Sequence, residues 1–393
     1  MPYIRTVTKG GDTDVALHLR VIESLEGLRA AAPEWSRLLA DAGGNIFLTP
    51  QWITSWFTAL ESAATPAVAV AEDDSGRWVG ILPMARTTLP WGSVRLKLTD
   101  FAGAQVTTSD HLGLVATQAE ADAVWECMRP WIEAEARSAH VLRFSGMDNG
   151  PMAARVRVLG TRPGWRTREP VREVVPFLEL PPTYDEYERG LSSNRRQQVR
   201  RFSRRLQQQA EPVRFCRNAD VRPLDAVIAD MTRFHAALWK SRGLPGTLGQ
   251  PAMDRFLRSF CHAAHEAGWL RLHQLYIGDR MAAAILVLHW GHTACYYQSG
   301  WDLPLANLHV GELVLVHSIR CAIEEHMRIY DLLRGGESYK DRYATGSVPQ
   351  VSYEFATRPI GKLRVLVSSA RAQLGQLVRR LRRKAPPPKG ERI

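Results

Sequence analysis

Apolar positions along the chain follow two periods. Strand-length apolar runs fall at Ala67–Glu72, Trp78–Arg86, Val94–Phe101, His140–Ser145 and Val174–Leu180. They recur at Trp269–Ile277, Met281–Trp290, Thr293–Trp301 and Arg328–Leu333. Three- and four-residue spacing predicts helices over Pro33–Leu39, Gln51–Leu60, Ala119–Arg137, Gly150–Leu159, Ala226–Ser241, Ala252–Ala267 and Val310–Glu325. Asp73-Asp74-Ser75-Gly76, Gly278-Asp279 and Gly291-His292 carry turn chemistry between strands. The pattern predicts a mixed α/β (α+β) protein. The order hairpin, further strand, long helix, short strand occurs twice. Arg77-Trp78-Val79-Gly80-Ile81-Leu82 and Arg280-Met281-Ala282-Ala283-Ala284-Ile285 occupy the same place in the two copies. A duplicated domain is therefore expected.

Composition changes this picture only through charge. The 393 residues carry a net charge of +11, with 45% hydrophobic and 23% charged residues, the balance of an ordinary globular protein. Residues 361–393 alone hold a net +9, leaving +2 for the rest. Residues 191–210 contain Arg195, Arg196, Arg200, Arg201, Arg204 and Arg205 and no acid. The chain thus reads as a mildly acidic body with two basic elements rather than a uniformly basic coat. The first is an Arg-rich helix capped by Ser192 or Ser193, suited either to phosphate groups or to solvent. The second is an amphipathic helix over 361–384 ending at Pro386-Pro387-Pro388. It suits either docking on its own domain or peripheral contact with an anionic membrane. The odd set of five cysteines, without a CxxC pair, points to reduced thiols and a cytoplasmic setting. No apolar run approaches membrane-spanning length, and no secretory leader is expected.

His235, Trp239 and Arg242 stand at i, i+4 and i+7, one face of a helix. This is either a pocket wall, with His235 as base, or core packing around Trp239. His262 and His265 lack a third partner at zinc-like spacing, so no metal is expected. Neither a Gly-x-Ser-x-Gly elbow nor a Walker loop nor a dinucleotide fingerprint is present.

Phe47-Leu48-Thr49-Pro50-Gln51-Trp52, the Arg-rich helix, Phe234 to Arg242, Gly278 to Leu286, Ser299-Gly300-Trp301-Asp302 and Tyr330-Asp331-Leu332-Leu333-Arg334-Gly335-Gly336-Glu337-Ser338-Tyr339-Lys340 follow one another in order. This ordered set resembles the GNAT-type acyltransferases of the CelD/BcsL group, relatives of the Fem aminoacyltransferases. The resemblance implies tandem GNAT-like domains, over 1–185 and 186–360, followed by the basic helix and Pro-rich tail over 361–393. It implies transfer of an acetyl or longer acyl group from acyl-CoA to an amine, hydroxyl or glycan acceptor, in cell-envelope or exopolysaccharide (cellulose) metabolism. Asn307, Leu308, His309, Val310 and Gly311 stand where GNAT folds bind the donor pyrophosphate, although Leu308 and Leu313 depart from the usual loop. Glu337 as base, Tyr339 as acid, Lys340 as anion ligand and Asp331 beside the strand end are the implied catalytic set. His235, Trp239, Arg242 and Asp302 are the implied acceptor wall. The Fem relation leaves two alternatives: charged tRNA as the donor, bound by the arginines, or a catalytically silent partner in a polysaccharide synthesis complex.

Overall fold

The computed structural model describes residues 16–244, 246, 248–335 and 340–384, with the side chains of 372–384 outside the description. The first half runs β1 (His18–Ile22), α1 (Leu25–Ala30), α2 (Ala32–Ala42), α3 (Pro50–Leu60), β2 (Thr65–Glu72), β3 (Trp78–Trp91) and β4 (Val94–Phe101). It continues through β5 (Val115–Ala116), α4 (Ala121–Ser138), β6 (Val141–Asp148), α5 (Pro151–Leu159), β7 (Arg166–Thr167) and β8 (Val171–Glu179). The second half runs α6 (Tyr184–Gly190), α7 (Ser193–Gln207), β9 (Val213–Arg217), α8 (Leu224–Ser241), α9 (Pro251–Glu266), β10 (Leu270–Ile277), β11 (Arg280–Trp290) and β12 (Thr293–Trp301). α10 (Val310–Glu324), β13 (Ile329–Asp331), β14 (Gly346–Ala356) and α11 (Pro359–Lys384) complete it.

The two halves share a plan. In each, an outer strand and two hairpin strands lead to a fourth antiparallel strand, and a helix returns the chain to a fifth strand parallel to the fourth. Leu98 of β4 pairs with Val141 of β6, and Thr293 of β12 with Ile329 of β13, both in parallel. Pro50 and Pro251 each open the helix before the first hairpin, where a missing N–H costs nothing. These two helices, α3 and α9, pack on each other: Trp52 meets the rings of Phe256 and Phe260 at 4.7 and 4.6 Å.

The halves then join into one sheet by exchanging their last strands. The order is β1-β2-β3-β4-β6-β14-β8-β13-β12-β11-β10-β9. β8 of the first half pairs with β13 of the second, while β14 of the second pairs with β6 of the first. β14 carries Pro349 and mixed polar residues, so periodicity alone does not reveal it. Its partner contacts hold it instead. Glu354 is buried, with Arg143 at 2.7 Å and Arg364 of α11 beside it.

Within the described residues α11 docks on β14 through Arg364 and Val365, which are 8% and 1% exposed. Leu363 and Leu366 point outward at 53% and 45%. The apolar face expected to dock at home is therefore turned to solvent in this stretch. No described helix is long and apolar enough to cross a membrane.

Candidate functional site

The site begins with a glycine and a bulge in β12. A Cβ on Gly300 would lie 2.6 Å from the Met231 carbonyl oxygen and 2.8 Å from the His235 nitrogen. Only glycine lets the backbone of α8 come down on β12 at this point. Between Leu286 and Val287 of β11 the register shifts by one, leaving Tyr297 as the extra residue of β12. Such a bulge bends the strand and re-aims its side chains. Tyr297 turns into the core, where its hydroxyl donates to the Thr107 carbonyl at 2.9 Å. Tyr296 turns the other way and meets the Ser299 hydroxyl at 2.6 Å.

Two cavities open beside that bulge. One, of about 300 Å³, is lined by His235, Leu238, Trp239 and Arg242 of α8, by Tyr296 to Ser299 and Trp301 of β12, and by Asp110, Arg334 and Lys340. The other, of about 270 Å³, is lined by His309, Val310, Gly311 and Glu312 at the start of α10, with Arg195, Tyr296, Trp301 and Tyr343. Tyr296 and Trp301 line both cavities. The pair sits where β12 and β13 diverge, because those strands are paired only over Thr293–Cys295 and Ile329–Asp331.

The sequence-predicted residues divide among three places. His235, Trp239, Arg242 and Lys340 come together in the first cavity. His235 is 5% exposed and its Nδ1 lies 3.1 Å from the Ser299 carbonyl. A carbonyl only accepts, so Nδ1 carries a proton and donates to it. Arg242 stacks over the Trp239 ring at 5.7 Å. Lys340 is buried, and its ammonium donates to the carbonyls of Leu333 and Arg334 at 3.2 and 2.9 Å.

His309, Val310 and Gly311 line the second cavity. His309 caps α10 in the left-handed region (φ 56°) and stacks on Phe202 of α7 at 3.5 Å. Burial and the positive charges of Arg201 and Arg205 push its basicity down despite Glu312. Gly311 has a packing role as well: a Cβ there would lie 2.8 Å from the Trp301 ring. Leu308 is buried in the core and Asn307 is exposed outside the cavity lining.

Two predicted residues lie elsewhere. Asp302 pairs with Arg280 across the hairpin, at the outer end of β12, and lines neither cavity. Asp331 faces a third cavity, of about 820 Å³, between the two halves. Its Oδ2 meets His111 Nε2 at 2.9 Å, and its Oδ1 accepts from the Leu333 N–H at 2.8 Å. Glu337 and Tyr339 lie outside the described residues.

Sequence reasoning missed Tyr296, Trp301 and Arg195 as parts of one wall. By sequence Arg195 belongs to the basic run of α7, yet it is only 8% exposed. Its Nη1 lies 2.6 Å from Glu312, its Nη2 donates to the Tyr343 hydroxyl, and its guanidinium covers the Tyr343 ring at 4.6 Å. The signal was present: Val199, Phe202 and Leu206 are buried at helical spacing from Arg195, on the same face. Arg200, Arg201, Arg204 and Arg205 do point outward.

Comparison with known proteins bears on this half of the molecule. Residues 193–341 match the acetyltransferase (GNAT) domain family. No curated protein matches the sequence. Among solved structures, the chain is similar to FemX with a TM-score of 0.61 at 9% identity, covering 85% of this chain and 98% of that one. It is similar to L-PGS from Bacillus licheniformis with a TM-score of 0.51 at 8% identity, covering 86% and 96%. The C-terminal domain of a putative lysylphosphatidylglycerol synthetase from Agrobacterium fabrum gives 0.51 at 9%, covering 87% and 96%. At such identities the likeness is one of fold. The acetyltransferase-family match falls on the half that holds the paired cavities, and the first half repeats the strand plan of that half within the same sheet.

Proposed function

We propose that the protein is an acyltransferase whose donor thioester and acceptor meet between the two cavities of the second half. One observation carries this reading: Tyr296 and Trp301 line both cavities, beside a buried histidine held in place by its Nδ1 bond to the Ser299 carbonyl. The acceptor, an amine or hydroxyl, enters along Trp239 and Arg242 and passes its proton to His235 Nε2. Its nitrogen or oxygen forms the new bond to the acyl carbon as the carbon–sulfur bond breaks. The departing thiolate takes the proton of the Tyr296 hydroxyl, which the Ser299 hydroxyl orients.

An acyl-CoA donor fits the residues present. The cavity at the start of α10 offers the Val310 and Gly311 N–H groups, the end of a helix that favours anions. Arg201 and Arg205 add positive charge beside His309. Backbone groups would thus do the work that a Gln or Arg side chain at Leu308 does elsewhere. The motif order of the CelD/BcsL group supports an acceptor from cell-envelope or exopolysaccharide metabolism.

Two measurements test the proposal. Acetyl-CoA and longer acyl-CoAs are titrated by calorimetry, and free thiol release is followed with an acceptor panel of amino sugars and amines. Binding together with thiol release, cut about 10²–10³-fold in kcat by His235→Gln, supports it. Absence of binding by every acyl-CoA overturns it. A second reading, an aminoacyl-tRNA donor, is favoured by the outward arginines of α7, which lie beside a cavity of about 860 Å³. It requires tRNA binding that weakens steeply with salt and with neutralisation of Arg200, Arg201 and Arg204.

A further inference from the structure

A cluster of metal-binding character lies away from the acyl site, on the other end of α10. His317 and Cys321 stand at i and i+4 of that helix, so both project from one face toward β10. His273 of β10 meets them there. One donor atom from each of the three residues falls within 4.8 Å of the others. None of the three lines either cavity of the proposed acyl site.

Three features of the cluster point to an ion. First, His273 is 1% exposed, and neither ring nitrogen has a hydrogen-bond partner among the described residues. Buried imidazoles ordinarily satisfy at least one nitrogen. Second, the spacing is close to that of a bound metal. Ligand atoms about 2.0–2.3 Å from a tetrahedral ion lie about 3.3–3.6 Å from one another. Cys321 Sγ and His317 Nε2 are already 3.5 Å apart. The remaining closure needs only a small rotation of side chains. Third, the rings are held in place. Phe215 of β9 stacks on His317 at 4.1 Å, and His273 meets the edge of His317 at 5.4 Å.

We infer that His273, His317 and Cys321 form a metal site of the His₂Cys type, with zinc(II) as the fitting ion. Two neutral imidazoles and a thiolate are borderline to soft donors, which disfavours magnesium and calcium and suits zinc. Binding replaces the thiol proton of Cys321, which is released to solvent. His317 and Cys321 are half-buried, so water completes the fourth position. Arg217, Arg271 and Arg320 face the cluster, and Glu324 and Glu325 offset part of that charge. The ion would tie the C-terminal half of α10 to β10 and so brace the helix whose first turn forms the proposed donor cavity. Cys216, on the adjacent strand β9, is paired in register with Gln274 rather than His273, so it projects to the opposite face.

The test uses the full chain, free of any polyhistidine tag, titrated with cobalt(II) as a spectroscopic stand-in for zinc. The expected result is a thiolate-to-cobalt charge-transfer band that saturates at one equivalent and is discharged by zinc(II). The band is lost in Cys321→Ser and kept in Cys216→Ser. A second readout needs no variant. Zinc(II) should slow iodoacetamide labelling of Cys321 at least tenfold, read by peptide mass spectrometry, and leave Cys216 unchanged. Absence of the band at saturating cobalt overturns the inference, as does its survival in Cys321→Ser. So does labelling of Cys321 at the same rate with and without zinc.

Discussion

The two halves fold the same way and differ at the point where the fourth and fifth strands diverge. In the second half, β12 carries a bulge and only residues 302–309 separate it from α10. The gap between β12 and β13 stays open and holds the paired cavities. In the first half, β4 pairs with β3 in unbroken register, and the longer segment 102–120 leads to α4. That segment does not leave its own gap open; it reaches across to the other half. Val106, Thr108 and His111 adopt left-handed backbone there; His111 reaches Asp331 of β13, and Asp110 accepts from the Arg334 N–H just beyond it. Asp110 is 1% exposed and pairs with Arg334 at 2.8 Å; burial pushes its pKa up to about 6 in spite of that partner. The first half thus buttresses β13 and the residues just after it. The two halves share a plan and differ here through one bulge and one loop length.

The sharpest way to break this contrast is at Gly300. Gly300→Val drives a side chain into the α8 backbone, and overpacking of that kind costs about 1–3 kcal/mol or more. It should also displace His235 and Trp239 and abolish turnover, read as joint loss of melting temperature and thiol release. His235→Gln should separate the two: kcat falls about 10²–10³-fold while the melting temperature stays within a degree or two.

In the brace, His111→Gln should do the reverse and shift stability rather than kcat. Burial alone would lower the basicity of His111, but Asp148 at 2.7 Å and Asp331 at 2.9 Å together raise it to about 10. A histidine that binds its proton more tightly when folded adds stability that is complete below the unfolded value near 6.5 and is lost as pH rises through about 10. His111→Gln should therefore cost about 2–4 kcal/mol near pH 7, with the difference shrinking toward pH 10, as read by denaturant melts across that range. The smallest effect is expected in α11. Leu363→Asp with Leu366→Asp should leave turnover unchanged and weaken sedimentation with anionic vesicles, since these leucines are exposed beside a basic helix.

Much of the fold was legible in the sequence because its strands and helices are long, apolar and regularly spaced. The bounds of β4 and β12 and the starts of β3 and α10 match the expected ones residue for residue. The elements that escaped are short or mixed in polarity. β1, β9 and β14 owe their pairing to partners distant in sequence, and the strand exchange through β8 and β14 leaves no periodic trace. The site was legible where one helix carries it, as with His235, Trp239 and Arg242 on α8. It was not legible where packing decides. Nothing in Ser299-Gly300-Trp301-Asp302 says that Trp301 covers Gly311 while Asp302 turns out to Arg280. Alternation along β13 does turn Asp331 into a cleft as expected, but nothing in the sequence says that this is the cleft between the halves rather than the paired cavities.

On the proposed function, the donor binds in the second half and the larger cleft between the halves takes no part in holding it. Acetyl-CoA calorimetry on three proteins tests this directly: the parent chain, Gly311→Glu and Asn45→Trp. The last fills the 820 Å³ cleft, which Asn45 lines. The account predicts micromolar binding to the parent and to Asn45→Trp, and loss of binding in a folded Gly311→Glu. Binding that survives Gly311→Glu and disappears in Asn45→Trp would contradict it.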